Sequence, residues 1–577
     1  MDNRDYARVL KEVAALMQIQ GSNRFRIRAF ENAARTIESQ SDSLESIMDR
    51  QELQNLSGIG ESIAKDLYQI RDTGTCSLHE SLLEELDPGL LKLLRIQGLG
   101  PKKVKALYDE LQVSNVDALK AAAEAGKVSS LSGFGKKTEE KILAEIERIN
   151  EAGDRTPLPR ALQIAESMKS QLETLPEVEQ IEIAGSLRRG RETIGDIDLL
   201  VATKNGEPVH RAFRELTEVR DVLGSGETKT SVRLRNGLQV DLRTVEPKIF
   251  GSALHYFTGS KEHHIALRTR AKRMGMKISE YGVFREEDLE TPLASTTEAE
   301  VFEALGLAFI PPELRENQSE IEKAEKNSLP ALLSLEEIRG DIHMHTTETD
   351  GKASILEMAE AAKELGYSFI AITDHSQDVR VANGMTPQRF EAHIKAIEAA
   401  NQEISDFQIL SGIEVDILKD GSLDMDDTLL EACDWVVGSI HSYFQQSEEE
   451  MTDRLLKALS SGLLSCLGHP TGRILGGREG YRYDFDQIVE AAVEAKVAFE
   501  MNGSAGRLDF NALQARRARD KGALIVLGSD AHSTRGLADL RFAVQQARRA
   551  GFQNHDVLNV LEAKELLSTV GKRQGKS

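Results

Sequence analysis

The sequence predicts a multidomain protein in which a helical N-terminal region is followed by an α+β region and then by parallel strands wrapped by helices. Three observations predict this order. A Gly-x-Gly segment followed by a helical pattern recurs three times within residues 1–150, short β-like runs separated by helical stretches follow, and apolar β-like runs alternate with helices after residue 337. A chain of 577 residues is also too long for one core.

Composition predicts a soluble cytoplasmic protein. No stretch has the roughly 18 or more apolar residues of a membrane span, and the charged start MDNRDYARVL lacks the apolar run of a signal peptide. The three widely separated cysteines predict neither a disulfide framework nor a thiolate zinc site. They are Cys76, Cys433 and Cys466.

The net charge of −22 is unevenly distributed, which keeps a nucleic-acid partner open. Residues 1–280 contain 42 Lys and Arg against 43 Asp and Glu, whereas the remaining residues contain 30 against 51. A near-neutral first half with local basic clusters can still bind phosphates. Charge alone therefore does not decide the partner.

The three repeats in the first 150 residues are NLSGIGESIAKDLYQI (55–70), RIQGLGPKKVKALYDEL (95–111) and SLSGFGKKTEEKILAEI (130–146). Glycines permit a tight hairpin, and the free N–H groups at the start of the next helix suit a phosphate oxygen. The segments resemble helix-hairpin-helix motifs, which implies DNA binding; the alternative is that the glycines serve helix packing alone. The candidate DNA-binding residues are Gly58, Gly60, Gly98, Gly100, Gly133, Gly135, Lys102 and Lys103.

The string GSLRRGRETIGDIDLLV (185–201) predicts a first catalytic centre. Asp196 and Asp198 are two apart in a β-like run, so their side chains share one face, and Asp241 lies in another β-like run. Three convergent carboxylates repel one another unless cations lie between them, and oxygen ligands of this kind favour Mg²⁺ or Mn²⁺. Two such ions can support in-line phosphoryl transfer.

Together with HYFTGS (255–260), this string resembles the family X DNA polymerases. The resemblance implies an α+β nucleotidyltransferase palm and a thumb, with Asp196, Asp198 and Asp241 as metal-binding catalytic residues. It also implies contacts to the triphosphate, to the sugar and to the template strand. These contacts are assigned to Ser186, Arg189 and Gly195, to Tyr256, Phe257 and Gly259, and to Arg268, respectively.

Two positions depart from the family pattern. His264 stands where the family usually has an Asn facing the minor-groove edge of the base, and we expect its imidazole to donate there instead. Ser62 stands where a related polymerase has the Lys that forms a Schiff base with an abasic sugar. Lys65 is nearby but on another helical face, and lyase chemistry needs a desolvated amine. We therefore expect no efficient lyase activity by that mechanism.

A second centre is predicted after residue 337, where histidines and carboxylates end or follow successive apolar β-like runs. Nitrogen and oxygen ligands without thiolate suit Zn²⁺, Mn²⁺ or Fe²⁺, and nine ligands are enough for two or three ions. The candidate ligands are His343, His345, Asp350, His375, Glu414, His441, His469, Asp530 and His532.

The strings DIHMHT, TDH, GIE, SIH, GHP and SDAH resemble the PHP superfamily of metal-dependent phosphoesterases. That resemblance implies a distorted seven-fold β/α barrel and hydrolysis of phosphate esters, with Arg473 either binding phosphate or lying on the surface as an ordinary arginine. A polymerase core followed by a PHP domain resembles the bacterial and archaeal members of family X.

The resemblance therefore implies a repair polymerase that fills short gaps, with 3′–5′ exonuclease or 3′-end trimming activity and incision at abasic sites. We expect DNA, gapped or primer–template, and dNTPs as partners, no membrane, a monomer, and a nucleoid-associated cytoplasmic location. A DNA-end-binding scaffold with vestigial catalysis and a nucleotidyltransferase–phosphatase acting on another substrate remain the alternatives.

The predicted boundaries are 1–90 for a helical domain with one hairpin motif, 91–155 for a fingers-like domain with two, 156–250 for the palm, 251–312 for the thumb, 313–337 for a linker and 338–577 for the PHP domain.

Overall fold

The computed structural model describes residues 3–38, 44–56, 58–87, 89–94, 96, 99–131, 133–152 and 155–572. The chain divides into two compact units, Met1–Asp154 and Arg155–Ser577. Among the described residues, no helix is both long and apolar enough to cross a membrane.

The first unit is helical throughout its described residues. Its α1 buries Tyr6, Leu10, Val13 and Met17, which recur at the spacing of one helical face, in a core shared by all parts of the unit. The helices are α1 (Asn3–Gln20), α2 (Arg24–Glu38), α3 (Leu44–Asp49), α4 (Glu61–Thr73), α5 (Ser77–Glu85), α6 (Gly89–Leu93), α7 (Pro101–Leu111), α8 (Val116–Glu124) and α9 (Lys136–Ala152).

The first and third glycine repeats have the turn conformation that the sequence predicts. Gly58 and Gly133 have φ of +81° and +84°, a conformation that L side chains rarely adopt. Gly60 and Gly100 are the residues before α4 and α7, and α9 begins directly after Gly135. The residue between each glycine pair is apolar and buried, which fixes each turn on the core. These residues are Ile59, Leu99 and Phe134. Gly98 lies outside the described residues.

The second unit begins with an α+β region whose five-stranded sheet has the order β2-β4-β7-β6-β5. Strands β4 and β7 are parallel neighbours and the other pairs are antiparallel. The elements are β1 (Thr156–Pro157), α10 (Leu158–Glu173), β2 (Gln180–Ile183), α11 (Gly185–Arg188), β3 (Thr193–Ile194), β4 (Asp196–Ala202), α12 (Gly206–Arg214), β5 (Val219–Ser225), β6 (Lys229–Leu234) and β7 (Gln239–Val245).

A small helical layer with one hairpin follows the sheet. Its elements are α13 (Phe250–Thr258), α14 (Lys261–Arg273), β8 (Met276–Ser279), β9 (Gly282–Arg285), α15 (Glu298–Ala304) and α16 (Glu320–Glu325). Helix α16 lies inside the segment predicted as a linker, and its Ile321 and Ala324 pack into the same apolar core as Phe302. Part of that segment is therefore packed structure rather than free chain.

The C-terminal part is a seven-stranded parallel sheet in chain order, β10 to β16. A parallel bridge between Met344 and Ala531 joins the segments after its first and last strands and brings the barrel close to closure. The strands are β10 (Gly340–Asp341), β11 (Phe369–Ile372), β12 (Gln408–Asp416), β13 (Trp435–Ser439), β14 (Cys466–Leu467), β15 (Ala498–Asn502) and β16 (Ile525–Gly528).

Helices cover the outside of this barrel, as expected where a parallel sheet is buried on both faces. They are α17 (Ile355–Glu364), α18 (Pro387–Glu403), α19 (Asp427–Ala432), α20 (Glu448–Leu459), α21 (Phe485–Ala495), α22 (Ala512–Asp520), α23 (Leu540–Ala550) and α24 (Ala563–Thr569). Phe542 of α23 packs into the core of the α+β region, so the two parts share apolar contacts.

Candidate active sites

Three carboxylates converge on one face of the five-stranded sheet. Asp196 and Asp198 lie on β4, and the parallel register places Asp198 opposite Asp241 of β7. Burial, together with the charges of Asp196 and Asp241, raises the pKa of Asp198 to about 7. Cations between the carboxylates would relieve this repulsion, so the cluster fits divalent ions bound through oxygen.

Asp241 has polar partners of its own. Its carboxylate lies 2.5 Å from the Lys229 ammonium and accepts a hydrogen bond of 3.0 Å from the Gln239 amide. Burial would raise the pKa of Asp241, but the hydrogen bonds from Lys229, Ser231 and Gln239 lower it below its usual value. Lys229 was missed in the sequence, where a lysine at the start of a β-like run has no distinguishing signal.

The segment that begins at Gly185, before β4, lies close to Asp198. Gly185 has φ of +64°, and a Cβ there would overlap the Asp198 carboxylate, so only glycine fits. Ser186 follows in the one-turn helix α11, and Gly195 lies immediately before Asp196. The residues predicted to contact a triphosphate therefore lie beside the carboxylates, apart from Arg189.

Arg189 joins this loop to the turn after α13. Its guanidinium donates to the Thr258 carbonyl at 2.5 Å and pairs with Glu316 at 3.2 Å, and its side chain is 12% exposed. A Cβ on Gly259 would lie 2.9 Å from Arg189 Nη1, so the glycine makes room for the arginine. A triphosphate would therefore share or replace the Glu316 contact. The neighbouring Arg188 is held by Glu298 in a two-pronged pair.

The aromatic residues of α13 form a small stacked group beside α14. Tyr256 and Phe257 meet edge to face, with ring centroids 5.2 Å apart. Arg268 lies over the Tyr256 ring and contacts its hydroxyl at 3.4 Å, and Arg243 lies 4.4 Å from the Phe257 centroid. The two rings are thus fixed between cationic side chains.

His264 is bonded differently from our expectation. Its Nε2 lies 2.8 Å from the Tyr256 carbonyl, which can only accept, so Nε2 carries the proton and Nδ1 is an acceptor. Burial lowers its pKa to about 4, so the ring is neutral near pH 7. The ring also stacks on Tyr256 at 5.3 Å. The Nε2 proton is therefore already donated within the protein, and donation from this imidazole to a base edge stays a prediction.

The nine predicted barrel residues gather at the C-terminal ends of the strands. Glu414 is central: its carboxylate lies 2.9 Å from both His375 and His469, and 3.3 Å from His441. His345 lies 3.2 Å from Asp530. Three sets have donor atoms close enough to share a metal ion. They are His345, Asp350, His375 and His532; His343, His345 and Asp530; and His375, Glu414 and His441.

Unsatisfied buried atoms show that this cluster suits metal ions. The Nε2 of His343 and both ring nitrogens of His345 are buried without a hydrogen-bond partner. Such orphaned atoms are costly unless something binds them, and imidazole with carboxylate is a donor set for transition metals.

Carboxylates behind the cluster orient its imidazoles. Glu500 of β15 is fully buried and lies 2.7 Å from His343 Nδ1, which leaves the other ring nitrogen facing the centre. Asp416 accepts from His441 Nδ1 in the same way at 3.1 Å. Sequence reasoning missed both residues. The strand run containing Glu500 was recognised, but a buried carboxylate on it could have been chosen only from its position at the end of a barrel strand.

Two arginines near the cluster have different environments. Arg473 forms a two-pronged pair with Glu192 of the α+β region and also donates to the backbone, so it is not the ordinary surface arginine that one interpretation predicted. Arg507 lies 3.3 Å from Asp530 and was not predicted. Of the two, Arg507 is the one that pairs with a residue of the cluster.

Five family models match successive segments of the chain. The matches are a helix-hairpin-helix domain (residues 1–76), a SAM-like helix-hairpin-helix tandem (90–148), the DNA polymerase beta palm (155–251), the DNA polymerase beta thumb (253–316) and a PHP domain (341–504).

A relative from Bacillus subtilis (strain 168), named "DNA polymerase/3′-5′ exonuclease PolX", is 41% identical over 570 residues, which is 98% of this chain and 99% of the relative. The chain belongs to the family X DNA polymerases that carry a PHP domain. Probable phosphatases from Proteus mirabilis and Escherichia coli O127:H6 are 28% and 27% identical, over 41% and 38% of this polymerase. The two alignments cover 96% and 89% of the length of those relatives, respectively.

Asp530 and His532 of this polymerase lie beyond the matched PHP range, yet the closing strand of the barrel brings them into the cluster.

The palm and PHP domains also touch directly. Arg549 donates to the Arg189 carbonyl and pairs with Glu316 at 3.2 Å, and Gln546 donates to the Gly190 carbonyl at 2.9 Å. The palm loop that contains Arg189 and Gly190 therefore packs against helix α23.

Proposed function

We propose that this polymerase fills short gaps during DNA repair and that its PHP domain removes or trims nucleotides at DNA 3′ ends. The observation that carries the proposal is the presence of two separate ligand clusters in a chain that aligns over nearly its whole length with a polymerase/exonuclease. Incision at abasic sites is a further activity that we assign to the second cluster.

At the palm, we propose that Asp196, Asp198 and Asp241 hold Mg²⁺ or Mn²⁺. Bound there, such ions would activate a primer 3′-hydroxyl and neutralise the triphosphate. Ser186, Arg189 and Gly195 bind the triphosphate. Tyr256, Phe257 and Gly259 lie along the sugar, Arg268 meets the template strand, and His264 supports Tyr256 beside the base.

At the PHP domain, we propose that the nine clustered residues hold two or three Zn²⁺, Mn²⁺ or Fe²⁺ ions, which would supply a hydroxide nucleophile and neutralise the leaving oxygen. Glu500 and Asp416 keep His343 and His441 in the ligating orientation, and Arg507 contacts the phosphate undergoing hydrolysis.

We propose that the helix-hairpin-helix turns bind the DNA backbone. Backbone N–H groups before α4, α7 and α9 would meet phosphates, with Lys102 and Lys103 beside the second turn. Ser62 and Lys65 are both exposed on α4, which supports our expectation of little Schiff-base lyase activity. The domain boundaries predicted from the sequence, the monomeric state and the location near the nucleoid remain part of the proposal.

The experiment is incubation of the purified chain with a 5′-labelled gapped duplex, with and without dNTPs, in Mg²⁺, Mn²⁺ or Zn²⁺. We expect extension by the gap length when dNTPs are present and shortening from the 3′ end when they are absent. Binding of the duplex without either reaction in any of these metals would instead support a DNA-end-binding scaffold.

A further inference from the structure

An exposed tyrosine lies close in sequence to one of the proposed PHP ligands. Tyr443 is 57% exposed and lies two residues after His441, in the loop that leaves β13. Its φ is +55°, a left-handed conformation that is uncommon for a bulky residue and is retained where the surroundings impose it. A large exposed ring held in this conformation next to a catalytic cluster is a candidate for substrate contact.

The loop is held by a buried arginine. Arg454 of α20 is 2% exposed, and its guanidinium donates to the Ser442 carbonyl at 3.1 Å and to the Gln446 side chain at 2.9 Å. The same guanidinium donates to the Ile417 carbonyl, which ties the loop to the end of β12. Residues on both sides of Tyr443 are therefore fixed, so the ring is exposed on a rigid support.

Cationic groups lie beside Tyr443 and Phe444 in this loop. The Lys419 ammonium lies 5.5 Å from the Tyr443 ring centroid, and the Arg478 guanidinium lies 3.6 Å from that of Phe444. Phe444 also borders Gly472, three residues after the ligand His469. Aromatic faces with adjacent cations are how proteins bind single-stranded nucleic acid, because bases stack on rings while cations meet the phosphates.

We propose that Tyr443 is a stacking platform for a nucleobase at the 3′ end of single-stranded DNA, with Lys419 beside the neighbouring phosphate. The platform holds the unpaired end so that its last phosphodiester reaches the metal cluster. This inference rests on the proposed 3′-end hydrolysis and adds the subsite that selects a nucleotide over a bare phosphate ester.

The binding test uses full-length protein without divalent metal and an oligonucleotide carrying 2-aminopurine as its 3′-terminal base. Stacking on a ring quenches 2-aminopurine fluorescence. We expect quenching by the wild-type protein and by Tyr443→Phe, and its loss in Tyr443→Ala. Tyr281→Ala, which removes a ring of similar exposure (58%) on the thumb hairpin, serves as the matched control and should quench normally. Equal quenching by Tyr443→Ala and wild type would overturn the platform.

The kinetic test compares a 3′-terminal nucleotide with a 3′-terminal abasic residue in the presence of metal. Tyr443→Ala should raise KM for the normal end about 10-fold, the scale of one lost base–aromatic stack, and leave hydrolysis of the abasic end unchanged. An unchanged KM for the normal end, or an equal loss on both ends, would contradict the platform. Absence of 3′ hydrolysis in the wild type would instead contradict the proposed function, while the metal-free quenching would still report on the platform.

Discussion

At the scale of single residues, the partner that holds a side chain sets the direction in which its functional atoms point. Asp196 and Asp198 share a face because strand side chains alternate, and that follows from spacing alone. The tautomer of His264 depends on the carbonyl of Tyr256, and the orientation of His343 depends on Glu500, 157 positions later in the chain. Such pairings arise only when distant strands meet, so the sequence pattern does not contain them.

Glu500→Gln should weaken the PHP centre selectively. The glutamate accepts from His343 Nδ1 and from the His469 backbone N–H with different oxygens, and a glutamine can serve only one of these donors. We expect a 10–100-fold loss of 3′ hydrolysis and of metal affinity, with nucleotide addition unchanged. Metal content by mass spectrometry and both activities should be measured together; full metal retention with normal hydrolysis would contradict the orienting role.

The depressed pKa of His264 predicts a stability that falls in acid. Burial lowers its pKa from 6.5 to about 4, so between these values the unfolded chain takes up a proton that the folded thumb does not. Stability is therefore full above pH 6.5 and declines as pH falls, by on the order of 1–2 kcal/mol at pH 5 for this residue.

Amide hydrogen exchange in α14 at pH 7 and pH 5 should measure this decline. His264→Gln should reduce the difference between the two opening free energies, whereas His555→Gln, which removes an exposed imidazole of the PHP domain, should leave it unchanged. His255 and His263, whose pKa values are also lowered by burial, keep part of the pH dependence in every variant. An undiminished difference in His264→Gln would contradict the assignment.

At the scale of elements, the sequence predicted the glycine turns, the strand runs and the order of the regions. It did not predict that α16 packs inside the supposed linker, because a Glu-rich and Pro-containing segment has the composition of free chain. It also did not predict that α23 supports the palm. That contact uses ordinary arginine and glutamine side chains whose partners, the Arg189 and Gly190 carbonyls, lie about 360 positions earlier.

Arg549→Met should therefore impair nucleotide binding from within the PHP domain. It removes the donor to the Arg189 carbonyl and one partner of Glu316 while keeping an unbranched side chain. We expect KM for dNTP to rise about tenfold, equivalent to about 1.4 kcal/mol, with kcat and 3′ hydrolysis little changed. Arg541→Met on the same helix, where the arginine is 43% exposed, is the matched control. Equal KM values in the two variants would show that α23 does not position the loop.

At the scale of the whole molecule, an ion pair links a residue near the palm cluster to a residue near the barrel cluster. Glu192 precedes Asp196 by four residues, and its partner Arg473 follows His469 by four residues. The domain content was predictable because each motif carries its own chemistry. The direct contact between the palm and the barrel was not predictable, because the side chains that form it lie outside every motif. A single unit with two centres is suited to adding and removing nucleotides on the same kind of substrate.

A comparison of Asp198→Ala and His343→Ala on one 5′-labelled gapped duplex in one metal buffer tests whether the two clusters act independently. We expect the first variant to lose nucleotide addition and keep 3′ shortening, and the second to show the reverse, with both remaining folded by circular dichroism. If either substitution abolished both reactions in a folded protein, the two clusters would not be independent catalytic centres.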